Sequence, residues 1–246
     1  MINFFRKIRK QLADDKKPLK YLRYAVGEIL LVVVGILIAL SINNWNEWQQ
    51  QREKETIILY ALKENLESNI QLLEKKIKSI KRQKQSGELI YQLVKNGNTN
   101  ELITPEDWHS ALINGGDLIL SLEGYESLKN NGFDIIINAD LKKEIIFLFE
   151  NVHLNILSQQ QWGASVKATW DLFIHEHFYV NNDEEGNPIF GLIPRDYKKV
   201  IENHYYFGLI DVSRGQRSFY IKQYAKVLMH SQKVLQLIKD ELDESE

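Results

Sequence analysis

The sequence predicts an all-α protein: one N-terminal membrane-spanning helix that continues into a long juxtamembrane helix and an extracytoplasmic helical bundle. Three observations carry that expectation. Residues 24–42, YAVGEILLVVVGILIALSI, are almost wholly apolar. Residues 46–95 contain no proline and one glycine, Gly87, which favours an unbroken helix. The remainder shows helical spacing of apolar residues without sustained strand alternation.

The apolar run comes first. Nineteen residues make a helix of roughly 28 Å, close to the thickness of a bilayer's hydrocarbon core. Twelve are Val, Ile or Leu, contributing roughly −4 to −7 kcal/mol to insertion. Glu28 opposes insertion as an intramembrane carboxylate. It lies one turn from the basic end, where it costs less than the ~3 kcal/mol of a central charge. Tyr21, Tyr24, Trp45 and Trp48 fall where interfacial aromatic residues collect.

Charge sets the orientation. The net charge of −2 hides an asymmetry: residues 1–23 hold eight bases and two acids, whereas residues 43–246 hold 23 bases and 30 acids. Only Arg52 and Lys54 follow the span closely. The positive-inside rule then places residues 1–23 in the cytoplasm and 43–246 outside, as a single-pass protein. Ala39-Leu40-Ser41 fits a small-x-small cleavage site, but no helix-breaking segment precedes it, so an uncleaved anchor is expected. Ile2, Phe5, Ile8 and Leu12 share one helical face of a basic segment, the pattern of a helix lying on anionic lipid headgroups. Gly35 and Ala39, four apart, form a small-xxx-small pair that Gly27 extends, so a homodimer or another membrane protein is an expected partner. Nucleic acid is not expected, because no basic patch recurs in the large domain.

These N-terminal residues carry a resemblance. MINFFRKIRKQL and KYLRYAVGEILLVVVGILIALSINNWNEW resemble the start of a large family of uncharacterised bacterial single-span membrane proteins, a domain of unknown function. Residues 124–145, GYESLKNNGFDIIINADLKKEI, are loosely similar to a second signature of that family. The resemblance implies an inner-membrane anchor with a helical outer domain, and implies no activity, ligand or catalytic residue.

In the outer domain Leu59, Leu62, Leu66, Ile70, Leu73, Ile77 and Ile80 step by threes and fours, a near-heptad stripe. One helix of about 50 residues is expected, a stalk, coiled coil or bundle edge, ended by Asn96-Gly97-Asn98. Thr104-Pro105-Glu106-Asp107 reads as a helix start, with a capping hydroxyl, proline at the first position and acids in the first turn. Gly115-Gly116 breaks that short helix, and another follows around residues 125–129. Asn138 caps a long helix to about Phe178, with Leu141, Ile145, Leu148, Val152, Ile156 and Val166 among its apolar positions. Residues 133–137 have the composition of a strand but no evident partner, and 181–194 read as a loop. Pro194 begins a short helix, and Ser213 or Arg214 begins the last one, running to about Leu242.

Chemistry is sparse. The absence of cysteine excludes disulfides, zinc–thiolate sites, thiol nucleophiles and cysteine-ligated clusters. No nucleophile elbow or phosphate loop is present, and Gly115-Gly116-Asp117 lacks the lysine of the latter. Asp183-Glu184-Glu185 lacks the alternating ligand spacing of a calcium loop. In His175-Glu176-His177 the histidines point about 200° apart on a helix and cannot share an ion. Asp171 and His175, four apart, can, but a site there needs further ligands such as His153, Glu176 or His204. Trp162, Trp170, Phe173, Phe178, Tyr205, Tyr206 and Phe207 read as core, with a ligand pocket as the alternative. The expectation is a membrane-anchored helical scaffold, accessory subunit or sensor without a cofactor. The alternative is an enzyme with its site in the outer bundle, with Asp171 and His175 as metal candidates.

Overall fold

The computed structural model describes residues 18–96, 103–112, 118–154, 156 and 169–244. The basic segment before Pro18, Gly97-Asn98, Gly115–Asp117, Trp162 and Val166 lie outside the described residues. The chain divides into two compact units, Met1–Glu55 and Thr56–Glu246.

The first helix, α1, runs Pro18–Asn96, an uninterrupted 79 residues. It ends at the asparagine that the sequence marked. In the first unit its apolar residues lie open: Leu30, Leu31, Val32, Ile36, Leu37 and Leu40 are all exposed.

In the second unit the near-heptad stripe of α1 is the spine of a hydrophobic core. Leu59, Leu62, Leu66, Leu73, Ile77 and Ile80 are buried. Ile70 is only half-buried, and its neighbour Asn69 occupies the buried position instead. Helix α2 (Pro105–Leu112) opens as its sequence dictates: the Asp107 amide donates to Thr104 Oγ1 (3.2 Å), and the Thr104 amide donates to Asp107 Oδ2 (3.2 Å). Helix α3 (Glu123–Asn131) follows, and then a 3-10 turn at Phe133–Ile135, where a strand-like composition had suggested extended chain.

The long helix expected from Asn138 begins as predicted. Asn138 Oδ1 accepts from the amides of Asp140 and Leu141, both at 3.1 Å, to cap α4 (Ala139–Phe147). It does not continue as regular α-helix, because Leu148–His153 widens into a π-helical turn. Residues 169–177 are helical again (α5) and stop where a strand begins.

The chain is mostly helical, as expected, but one small hairpin departs from an all-α fold. Residues 178–194 form an antiparallel hairpin, β1 (Phe178–Asn182) and β2 (Pro188–Pro194), not a loop. The register pairs Phe178 with Pro194, Tyr179 with Ile193 and Val180 with Leu192. The Asp183 side chain closes the turn, accepting from the Asn187 amide (2.7 Å) and Asn187 Nδ2 (3.1 Å), while Gly186 takes φ +84°. Those bonds hold the Asp183 carboxyl below its ordinary pKa. Two prolines and an interior glycine in PIFGLIP hid this strand; burial of Phe178 and Leu192 stabilises it.

Pro194 therefore ends a strand and starts no helix. Asp196 caps the short helix α6 (Tyr197–Ile201), accepting from the Lys199 amide. The last helix, α7 (His204–Asp243), starts well before Ser213, because Asn203 Oδ1 accepts from the amides of Tyr205 (3.0 Å) and Tyr206 (3.2 Å). That cap and the burial of Tyr206 and Ile210 outweigh the roughly 1 kcal/mol cost of each of Gly208 and Gly215. Ion pairs Lys239–Glu67 (2.9 Å), Lys233–Glu144 (2.8 Å) and Arg214–Glu88 (2.6 Å) lie along α7. They add little beside the apolar seams.

Candidate functional site

Two places in the molecule ask for a partner that the described residues do not supply. The first is the apolar face of α1 in the first unit. Leu22, Val26 and the large apolar side chains from Ile29 to Trp48 are exposed on every side of the helix, and the apolar window is wholly unburied. At about 25 cal/mol per Å² such a surface is costly in water. It is one long apolar helix with the length and composition of a membrane span or a signal sequence.

The residues singled out there are placed as follows. A Cβ added at Gly27 or Gly35 meets nothing within 4 Å, and Ala39 and Glu28 are exposed, so that face is open to a close neighbour. The Ser41 hydroxyl donates to the Leu37 carbonyl (2.8 Å), and the chain is helical through Ala39-Leu40-Ser41. Past the apolar run, the Arg52 guanidinium lies 5.8 Å from the Trp48 ring, a cation–π pair of the kind found at a membrane–water boundary.

The metal candidates are not brought into a ligand set. Asp171, His175 and Glu176 are exposed on α5, and His204 is exposed at the start of α7. His177 Nε2 sits 3.8 Å from Glu176 Oε2, a contact within one segment. His153 is buried in the π-helical turn that follows α4, against Phe149. Among the described residues no three His, Asp or Glu side chains are placed to hold one ion.

The second place is the interior of the second unit. Tyr206 is the hub of an aromatic cluster: Phe173 stacks on it at 4.9 Å, and Trp108, Trp170 and Phe178 approach at 6.1, 6.4 and 6.4 Å. These aromatics form the core of a second apolar cluster with Ile90, Leu112, Leu192, Val200 and Ile210. Two turns beyond Ile210, Arg217 enters the same interior and is 2% exposed. Its Nη1 donates to the Gln83 carbonyl of α1 (3.2 Å). Its Nη2 donates to the carbonyls of Ser110 (3.2 Å) and Ala111 (2.6 Å) in the last turn of α2. The cation thus caps the negative end of α2, which offsets part of its desolvation. Burial still lowers its pKa to about 10.

Sequence reasoning named Tyr206 and Trp170 as core, with a ligand pocket as the alternative, and missed Arg217 altogether. The available signal was a basic residue on the apolar face of a helix, in register with Tyr206 and Ile210. A second set of missed residues docks α3. Asn69 Nδ2 donates to the Ser121 carbonyl while the Ser121 amide donates to Asn69 Oδ1, both at 2.8 Å. Asn65 Oδ1 accepts from the Gly124 amide at 2.6 Å.

Comparison with known proteins places one stretch of the chain. Residues 28–103 match a family of unknown function, DUF6090. The match takes in most of α1, stripe included, and so reaches beyond the N-terminal residues that carried the resemblance; residues 124–145 lie outside it. No curated protein and no solved structure matches the chain.

Proposed function

We propose that this protein is a single-pass inner-membrane anchor carrying an extracytoplasmic helical module that serves as a scaffold or accessory subunit. One observation carries the reading: the fully exposed apolar surface of α1 between Leu22 and Trp48, which a bilayer covers and water does not. The excess of bases before that run favours the N-terminus inside. The unbroken helix through Ala39-Leu40-Ser41 favours an anchor over a cleaved leader, since peptidases act on extended chain.

The outer unit supports a binding role over a catalytic one. Its hairpin leaves the cross-strand pair Tyr179 and Ile193 exposed, apolar side chains that a protein partner could cover. A reporter fused after Glu246 tests the topology: an enzyme that folds only outside the cytoplasm is active there, and one that works only inside is silent. Cytoplasmic activity overturns the reading. Loss of an N-terminal tag from the mature membrane protein overturns the anchor.

A further inference from the structure

Charge is spread over the chain beyond the span in a way that its totals conceal. Residues 43–246 hold 23 bases and 30 acids, which argued against a basic patch there. Two stretches break that balance. Residues 75–87 of α1 hold six bases and no acid, and residues 212–239 of α7 hold six more and no acid. The rest of residues 43–246 holds 11 bases and 30 acids. A basic patch does recur, contrary to the expectation from the whole-domain count.

The two stretches lie side by side. Helix α7 runs antiparallel to α1, with Arg214 on Glu88 (2.6 Å), Arg217 on the Gln83 carbonyl (3.2 Å) and Lys239 on Glu67 (2.9 Å). Between those contacts Lys222 comes level with about residue 81, and Lys226 with about residue 78. Lys81 lies seven residues before Glu88, within about 20° of it around the helix, so it stands on the edge of α1 that meets α7. Lys75, Lys78, Lys81, Arg82, Lys222 and Lys226 are all exposed. None of the six makes an ion pair or side-chain hydrogen bond among the described residues. They also crowd one another: Lys78 lies three or four residues from Lys75, Lys81 and Arg82, and Lys222 lies four from Lys226. Like charges at those spacings destabilise a helix. The fold retains a repulsion that an anionic partner relieves.

The kind of anion follows from what surrounds the bases. Residues 73–87 and 220–228 expose no large apolar side chain, so the surface lacks the anchors that hold two folded domains together. No exposed ring stands there for a nucleobase to stack on. The backbone amides of both stretches are committed within helices, so the N–H donors that build tight phosphate sites are missing. What remains is a row of point charges, lysine in all but one, on flexible stems. The chain's own acidic end, from Asp240 onward, lies beyond the Lys239–Glu67 contact and so away from the patch. We propose that this face of α1 and α7 holds an unstructured acidic peptide segment of a partner protein, bound by charge along its length. Such a partner gives chemical content to the binding role proposed above, on which it rests.

The test follows the anisotropy of a short fluorescein-labelled polyglutamate titrated with the full chain in an uncharged detergent. Saturable binding is expected, weakening roughly tenfold as sodium chloride rises from about 0.05 to 0.5 M. A variant combining Lys78→Gln, Lys81→Gln, Arg82→Gln and Lys222→Gln is expected to bind about tenfold more weakly, with a Tm equal to or above the parent's. Residues 1–23 are also basic, so a matched variant combining Arg6→Gln, Lys7→Gln, Arg9→Gln and Lys10→Gln is the control, expected within about twofold of the parent. Absence of saturable binding overturns the proposal, as does a patch variant that binds like the parent. A lower Tm in the patch variant would make these bases part of the fold and overturn it too. An oligothymidylate of equal charge that binds more tightly than polyglutamate would assign the face to nucleic acid instead. Topology is read separately by the reporter after Glu246, so loss of peptide binding leaves the anchor reading standing.

Discussion

A Cβ at Gly87 would lie 2.9 Å from Arg217 Nη1. The one glycine between residues 46 and 95 is therefore the gap through which the guanidinium reaches α1 and the Gln83 carbonyl. Gly87→Ala gains up to ~1 kcal/mol of helix propensity. It also displaces a cation pinned by three carbonyls, and a disturbed charged hydrogen bond costs about 1.5–3 kcal/mol. The loss is the larger, so net destabilisation of about 1 kcal/mol is expected by chemical denaturation. In an Arg217→Met background the same change should become neutral or stabilising. A cost that persists there would mean that Gly87 serves something other than Arg217.

Gly124 is a tighter case. A Cβ there would stand 2.9 Å from both the Ala61 carbonyl oxygen and the Leu62 nitrogen, and backbone does not swing aside. Gly124→Ala should cost about 3 kcal/mol, at the upper end for overpacking, and disrupt the Asn65 bond to the Gly124 amide. Gly215→Ala, with nothing within 4 Å, should instead stabilise by up to ~1 kcal/mol. Equal effects in the two variants would refute the close docking of α3 on α1.

The stripe of α1 predicts its own hierarchy. Leu73 is fully buried, so Leu73→Ala should lose about 2–5 kcal/mol, and Leu73→Asp should lose more by stranding a charge. Ile57, 68% exposed, should tolerate the same substitutions within about 0.5 kcal/mol. A Leu73→Asp protein that melts like the parent would show the seam to be solvated.

His153 gives the second unit an acid-sensitive term. Buried against Phe149, with both ring nitrogens unpartnered among the described residues, it has its pKa lowered by burial to about 4. In the unfolded chain it titrates near 6.5, so the unfolded state takes up the proton first as pH falls. Its contribution is complete above pH 6.5 and is lost on the way down to 4, amounting to about 3 kcal/mol at most. His153→Leu should flatten the stability profile in that window and change little at pH 8. An unchanged slope between pH 6.5 and 4 would assign the acid response to carboxylates.

Much of the helical frame was legible because its signals are local. Proline at the first position of α2, with Thr104 and Asp107 around it, marks that start without tertiary help. The same holds for Asn138 before α4 and for the apolar spacing of α1. The hairpin was not legible, because Gly191 and the two prolines of β2 argue locally against a strand; only burial of Phe178 and Leu192 among aromatics from α2, α5 and α7 makes it one. The candidate site failed to show for a related reason. Arg217 looks like any surface arginine until the carbonyls of α1 and α2 are seen to receive it.

The sequence by itself determined the apolar helix, the charge asymmetry around it and the periodic stripe that follows, since length, hydropathy and spacing act within one helix. The tertiary structure decided that Asn69 rather than Ile70 takes the buried position, that Gly87 is a passage for a cation, and that carbonyls of α1 and α2 receive the buried Arg217. Those outcomes depend on which distant backbone groups approach, and hydrogen bonds and close packing between residues far apart in the chain leave no periodicity to read.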